Sequence, residues 1–361
     1  MRYRRLGRTE LQVSELGLGA ATFGSKWGPA WTMTRREAAR TLGIALDHGV
    51  NLVDTSNVYN RGESESVLGE LLAHQGLRDR VILSTKFGYR TDPDDPTSGG
   101  CSAVAVRRAI ERSLRRLRTD HVDLYYVHLW DDMTPLEETL AALDDLVTAG
   151  TVRHVGLSNV PGWYAGAWEA LAAAGRGPRP AAVQLQHNLL VRVHEQEFLP
   201  YLRHRDVGLV CWGPLANGLL AGRYELDHET RTVKGAGRMT RNFTTGDVDP
   251  FAERTRRVLA ELDALVAETG RTHHELSLGW LLAREETSSV LLGVSSPEQL
   301  AANLAVVDSD LPPEVLARLD TVSRPTVEHP WTFLEPDVQQ LVHGQLVHGV
   351  PSPAGEDQAG R

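Results

Sequence analysis

Short apolar, β-branched runs alternate with longer helical patterns along almost the whole 361-residue chain, and this alternation narrows the fold more than any other feature. Candidate strands are Glu15–Gly19, Asn51–Asp54, Val81–Thr85, Val122–His128, Val152–Leu157, Ala181–Gln186, Val207–Cys211 and Ser289–Leu292. Their starts lie 26 to 41 residues apart, except for a last interval of 82, so each gap has room for a crossover helix between parallel strands. Helix starts are marked as well. Thr34-Arg-Arg-Glu37, Thr134-Pro-Leu-Glu137 and Thr272-His-His-Glu275 read as capping boxes, and Ser296-Pro-Glu-Gln299 adds Pro at the first helical position. Leu136, Leu140, Leu143 and Val147 recur on one helical face, as do Val106, Ile110, Leu114 and Leu117. Eight strands, mostly followed by helices, predict an α/β chain closed into a (β/α)8 TIM barrel.

The rival is an open, doubly wound sheet, whose dinucleotide-binding form needs a glycine-rich turn after the first strand. Gly17-Leu-Gly-Ala-Ala-Thr22 has Thr22 at the third glycine position and breaks that pattern. Gly19–Lys26 fails as a phosphate loop because the order is Gly-Ser-Lys. Tyr3–Ser14 precedes the first barrel strand and predicts a short hairpin plugging one end of the barrel. Trp212–Pro250 is a long connection after the seventh strand, of a length usually tied to function or mobility. The alternation ends near Arg324, giving a barrel over residues 1–322 and a C-terminal extension over 323–361. In the extension, Leu341-Val-His-Gly344 recurs once as Leu346-Val-His-Gly349, and Pro351–Arg361 reads as a frayed polar tail.

Composition removes several function classes. With 38 Lys and Arg against 47 Asp and Glu the formal net charge is −9, which disfavours general nucleic-acid binding. Arg107, Arg108, Arg112, Arg115, Arg116 and Arg118 interleave with an apolar face, the pattern of a solvated outer helix. Cys101 and Cys211 make no disulfide framework and have no partners at metal-ligand spacing, which suits a reducing cytosol. His273-His274 opens a helix without a second ligand pair, so no metal site is expected. No apolar window is long enough to span a membrane, and the basic start Met1–Glu10 lacks the apolar stretch of a signal peptide. The expectation is a cytoplasmic protein with a small-molecule substrate. The pattern fixes no oligomeric state.

In such barrels the chemistry lies at the carboxyl ends of the strands. Strand two ends in Asp54 with Tyr59 in its loop, strand three is followed by Lys86, and strand four ends at His128. Together these groups can deliver a proton from a phenol. A Tyr has an ordinary pKa of about 10, and a neighbouring ammonium favours phenolate. A carboxylate would hold that Lys charged, and a neutral imidazole could hydrogen-bond the substrate oxygen. General acid catalysis is worth about 10²–10⁴-fold. The rest would come from holding a hydride donor close to a carbonyl carbon.

From about Tyr3 to Leu319 the sequence resembles the aldo-keto reductases, NAD(P)H-dependent (β/α)8 enzymes. The resemblance is carried by Asn51-Leu-Val-Asp-Thr-Ser-Asn-Val-Tyr59 with Gly62-Glu-Ser-Glu65, by Ser84-Thr-Lys-Phe-Gly88, and by Asp123-Leu-Tyr-Tyr-Val-His-Leu-Trp130. It implies a catalytic tetrad of Asp54, Tyr59, Lys86 and His128, with Tyr59 as proton donor to an aldehyde or ketone. It also implies that Ser158, Asn159 and Gln184 hydrogen-bond the nicotinamide amide while Trp212 stacks on the ring. Gly213, Pro214, Leu215, Asn217 and Gly218 would pass over the pyrophosphate, and Gly293, Ser295, Gln299 and Asn303 would hold the adenosine. Family members commonly have Tyr where this chain has His187, and many carry a Lys or Arg where it has Ser295 and Ser296. Arg231, Lys234, Arg238 and Arg241 could supply that missing charge, with a solvated loop as the equal alternative; NADPH is the expected cofactor mainly because the resemblance implies it, and NADH is the alternative. Trp27, Trp31 and Trp130 are the expected substrate-pocket aromatics, with loop packing as the equal alternative. Two other functions fit the same residues. One is a cofactor-sensing subunit like the potassium-channel β subunits, and the other a Schiff-base aldolase using Lys86 as nucleophile.

Overall fold

The computed structural model describes residues 1–28, 32–95, 97–235, 237–241, 248–308 and 310–343. Eight parallel strands close into a barrel: β3 (Leu16–Gly19), β4 (Leu52–Asp54), β5 (Ile82–Phe87), β6 (Val122–Val127), β7 (Val152–Ser158), β8 (Pro180–Gln186), β9 (Gly208–Trp212) and β12 (Thr287–Gly293), with β12 returning to β3. Every expected strand is present, its ends displaced by at most two residues. The helices α1 (Arg35–Asp47), α2 (Glu63–His74), α3 (Ala103–Leu117), α4 (Leu136–Thr148), α5 (Gly162–Ala173) and α6 (Glu195–Arg205) fill the first six crossovers. The long seventh interval holds a second hairpin, β10 (Tyr224–Asp227) with β11 (Thr232–Gly235), then α7 (Glu253–Thr269) and α8 (His273–Leu282). After β12 come α9 (Pro297–Leu304) and α10 (Pro313–Ser323). The extension follows with a 3₁₀ turn at Trp331–Leu334 and α11 (Pro336–His343). The second Leu-Val-His-Gly copy and the polar tail lie outside the described residues.

Strand periodicity separates two apolar layers. Leu52, Leu124, Tyr126, Ala182, Val210 and Leu291 face into the barrel, whereas Val53, Leu83, Tyr125, Val183, Leu209 and Leu292 face the helices. The expected N-terminal hairpin forms from β1 (Tyr3–Arg5) and β2 (Gln12–Ser14). Its Leu6 and Val13 are fully buried against the inward layer and stopper the amino-terminal end of the barrel. Each such side chain contributes about 1.5–3 kcal/mol of burial. Gly7 makes the turn at φ +52, and a Cβ there would lie 2.7 Å from the carbonyl oxygens of Ala181 and Asp206. The plug seats only because that residue has no side chain.

The caps show where local signals hold. Thr34 with Glu37 and Thr272 with Glu275 form full capping boxes. The box expected at Thr134 does not form: Pro135 caps α4, and the Thr134 hydroxyl donates to Asp131 at 2.7 Å instead. Ser296 accepts from the Gln299 amide, but the Gln299 side chain turns to Ser295 rather than completing a box. On α3, Val106, Ile110 and Leu117 are buried and Leu114 packs at their edge. Arg107 pairs with Asp145 and Arg108 with Asp95 across the outer surface. No helix among the described residues is long and apolar enough to cross a membrane.

Candidate active site

The inward parity of the strands turns polar at their carboxyl ends. Above the apolar layer, the same parity that places Leu52, Ile82 and Leu124 inward yields Asp54, then Ser84 and Lys86, then His128. On β8 it yields Gln184 and Gln186, and on β9 Trp212. The buried polar groups therefore gather at one end of the cylinder, opposite the plug.

Asp54 and Lys86 form the centre. Lys86 Nζ donates to Asp54 Oδ2 at 2.5 Å, to the Thr55 carbonyl at 2.8 Å and to the Tyr59 hydroxyl at 3.4 Å. Asp54 Oδ1 accepts from Ser84 at 2.7 Å and from the Gln184 amide at 3.0 Å, so both oxygens of this carboxylate are engaged. These three bonds are what permit an ion pair with Lys86 fully buried and Asp54 at 3% exposure. Tyr59 opens a 3₁₀ turn after β4, and the next two residues, Asn60 and Arg61, take left-handed conformations that swing it over the barrel mouth. His128 lies edge-on to Tyr59 with ring centres 5.6 Å apart, and its Nδ1 bonds Ser56 Oγ at 3.0 Å. The four residues expected to act together are thus in one cluster.

Electrostatics corrects one expectation. Burial pushes the Tyr59 phenol above its ordinary 10.0, and the opposing pull of Lys86 is too small to reverse this. The phenol is held protonated rather than acidified. Lys86 loses solvation, yet Asp54 and Tyr59 together raise it above its ordinary 10.5 and keep it charged. Burial and the Lys86 charge both push His128 well below 6.5, leaving a neutral imidazole.

A second set of groups borders this cluster. Ser158 is fully buried, and the Asn159 amide donates to Ser158 Oγ at 3.0 Å and to the His128 carbonyl at 2.9 Å. The Trp212 indole donates to Asn159 Oδ1 at 3.3 Å. Beyond Trp212 the backbone of Gly213, Ala216, Asn217 and Gly218 takes positive φ, and Pro214 and Leu215 lie between them. Asn188 fastens this segment through the Gly213 carbonyl at 2.8 Å. Gly293 ends β12 exposed, with no atom within 4 Å of where a Cβ would stand. Next to it, Gln299 accepts from both Ser295 N and Ser295 Oγ, while Asn303 is buried within α9. Ser158, Trp212 and Gly293 thus line up along the carboxyl ends of β7, β9 and β12, a lane across one side of the barrel rim.

Of the expected pocket aromatics, Trp27 lies 5.9 Å from Tyr59 in an edge contact, whereas Trp130 is 40% exposed and pairs with Trp163 at 5.7 Å. Trp31 lies outside the described residues. Tyr89, three residues past Lys86, sits edge-on to His128 at 4.8 Å and was not read from the sequence. Ser56 and Asn60 were also missed, although both lie inside the Asp54-to-Tyr59 motif or directly after it. Arg231 does not stand free: it pairs with Asp249 at 3.2 Å and covers the Phe251 ring, while Lys234 is exposed on β11 and the side chains of Arg238 and Arg241 lie outside the described residues. Arg223 is exposed beside Gly218 and has no ion pair or hydrogen bond among the described residues. His187, in place of the common Tyr, is fully buried and bonds Glu195 at 2.8 Å. No group of three His, Cys, Asp or Glu among the described residues is arranged to hold a metal ion.

Comparison with known proteins agrees with this geometry. The sequence profile of the aldo/keto reductase family matches residues 15–324. Oxidoreductase YrpG of Bacillus subtilis, itself named as uncharacterized, is 34% identical over 331 residues, spanning 89% of this chain and 96% of that protein. Norsolorinic acid reductase stcV of Emericella nidulans is 31% identical over 342 residues, 93% of this chain and 85% of its own. A probable voltage-gated potassium channel subunit beta of Arabidopsis thaliana is 30% identical over 350 residues, 92% of this chain and all of its own. A closed eight-stranded barrel matched along nearly its whole length makes the chain a member of the aldo/keto reductase family of oxidoreductases.

Proposed function

We propose that this protein reduces an aldehyde or ketone to an alcohol, with Tyr59 giving the proton and NADPH as cofactor. The observation that carries the reading is the Asp54–Lys86–Tyr59 chain of contacts beside a neutral His128. When bound, the cofactor supplies the hydride. Tyr59 faces a developing alkoxide, a far stronger base than phenolate, so a phenol that stays protonated at neutral pH is the form the reaction needs. Lys86 stabilises the phenolate left behind, and Asp54 keeps Lys86 charged. His128, with Nδ1 engaged by Ser56, keeps its other nitrogen for the substrate oxygen.

The donor set fits a nicotinamide dinucleotide. Ser158, Asn159 and Gln184 are amide and hydroxyl partners for a carboxamide, and Trp212 offers an aromatic face. The left-handed run at 213–218 and the bare Gly293 leave room where a Cβ would intrude. With Ser295 and Ser296 uncharged and Arg231 engaged by Asp249, Arg223 is the group we assign to the 2′-phosphate. A Schiff-base role for Lys86 is disfavoured because Asp54 keeps that amine protonated. Likeness to the potassium-channel subunit supports a cofactor-sensing role as a second reading.

The test is Tyr59→Phe. It is expected to bind NADPH as the parent does while losing at least about 100-fold in carbonyl turnover. Near-parental rates in this variant would remove Tyr59 as donor. A parent protein that binds cofactor but turns over no aldehyde or ketone in a broad screen would favour the sensing role.

A further inference from the structure

On the reductase reading, the first rim loop is held against the Tyr59 turn by the side chain of Asn60. Asn60 follows Tyr59 directly and is fully buried at φ +48. Its amide nitrogen donates to the Ala21 carbonyl at 2.8 Å and to the Phe23 carbonyl at 3.1 Å, and its oxygen accepts from the Trp27 backbone at 3.0 Å. Three residues on, Glu63 accepts from the Ser25 backbone at 2.7 Å and from the Ser25 hydroxyl. Gly24 lets the loop come this close. At φ +122, a Cβ there would stand 3.0 Å from Glu63 and 3.1 Å from the Asn60 Cβ.

Glycine would meet the left-handed conformation at position 60 at least as well as asparagine. What glycine lacks is the amide, and here the amide is spent entirely on residues 21–27. The loop so fixed delivers Trp27, whose ring stands at 70° to Tyr59. On the other side of the pair, Tyr89 is edge-on to His128. The two groups that must meet a substrate oxygen are each flanked by an aromatic ring, and only the Trp27 side is tied down through Asn60.

We infer that Asn60 is a positioning residue, clipping the first rim loop to the Tyr59 turn so that Trp27 becomes a fixed wall of the carbonyl pocket. Because Asn60 acts through Trp27, its removal changes substrate fit and leaves the proton donor in place.

Asn60→Gly tests this in the full-length protein, since it keeps the backbone conformation and removes only the amide. With NADPH and benzaldehyde, KM for the aldehyde is expected to rise about tenfold, the equivalent of one lost positioning bond, with kcat within about twofold. The KM for NADPH stays at its parental value. In a Trp27→Ala background the same substitution is expected to change KM less than about twofold, because coupled residues are not additive. Asn60→Asp keeps the acceptor for the Trp27 amide but turns a carboxylate oxygen onto the Ala21 and Phe23 carbonyls, so it is expected to raise KM at least as much as Asn60→Gly. Acrylamide quenching of Trp27, read as the difference from matched Trp27→Phe proteins, is expected to increase in Asn60→Gly. Parental KM with parental quenching overturns the assignment, as does an equal KM rise with and without Trp27. If the parent reduces no carbonyl compound the reductase reading falls, while the quenching difference still decides the clip.

Discussion

Lys86 Nζ stands 3.4 Å from the Tyr59 hydroxyl and 4.9 Å from the centre of its ring. The ammonium is thus close enough to stabilise a phenolate once formed, yet burial keeps the resting phenol above its ordinary pKa. In the proposed reaction, stabilisation is therefore reserved for the charge that appears after proton transfer, where it would lower the barrier instead of ionising the donor beforehand.

Removing Lys86 is expected to have two separable effects. Lys86→Met leaves Asp54 buried without its counter-ion, costing about 3–5 kcal/mol of stability. It also removes the group facing the phenolate, so turnover falls at least about 100-fold. Asp54→Asn together with Lys86→Met takes both charges out of the barrel. That double variant is expected to recover most of the thermal midpoint and none of the rate. Recovery of activity with stability would show that Lys86 serves only the fold.

The pH dependence follows from the directions of the shifts. His128 is held well below 6.5, so its neutral form persists throughout the neutral range and does not limit the rate there. Tyr59 is raised above 10.0, so the protonated donor is lost only beyond that value. Reduction at saturating cofactor is expected to be level from about pH 6 to 9, with its fall on the alkaline side. Ser56→Ala removes the partner of His128 Nδ1. It is expected to lower kcat about tenfold by freeing the ring's orientation. An acid limb centred near 6.5 in the parent profile would contradict the neutral imidazole.

Cofactor choice tests the lane's far end. Arg223→Gln is expected to raise KM for NADPH by about 10–100-fold, the range of one charge-assisted bond, and to leave KM for NADH unchanged. An equal rise for both cofactors would move Arg223 from the 2′-phosphate to the pyrophosphate they share. No effect on either would return the 2′-phosphate to the 231–241 stretch.

The barrel was legible because its signals are local. A β-branched run between helical stretches needs no long-range knowledge, and the eight strands fall where those runs lie. Asp54, Lys86 and His128 were legible for a related reason: a polar residue in the inward parity at a strand end can only point into the mouth. Asn60 and Ser56 were hidden because their partners, Trp27 and His128, come from other parts of the chain. Thr134 was misread because Asp131, three residues earlier, competes for its hydroxyl. The sign of the Tyr59 shift depends on depth of burial, which no spacing records.

A buried polar cluster after β8 ties that strand end to α8 and α10. His187 Nε2 and Arg192 Nε share Glu195 Oε1, each at 2.8 Å, while Arg192 and Arg284 cover the Trp280 ring at 4.9 and 4.8 Å. Arg192 also bonds Ser323 Oγ at 2.7 Å at the end of α10. These bonds and charges outweigh burial and lower Glu195 to about 2, whereas burial drives His194 down to about 3. Both folded values are depressed, so both groups add stability above their unfolded values of 4.5 and 6.5, and that stability is lost as pH falls through the folded values. Thermal midpoints are therefore expected to decline from about pH 6.5 downward, most steeply below 4.5. Glu195→Gln, measured by calorimetry, is expected to be less stable than the parent at pH 7 and to converge with it as pH approaches 2. A constant gap across that range would mean that packing, and not the carboxylate's charge, holds this corner together.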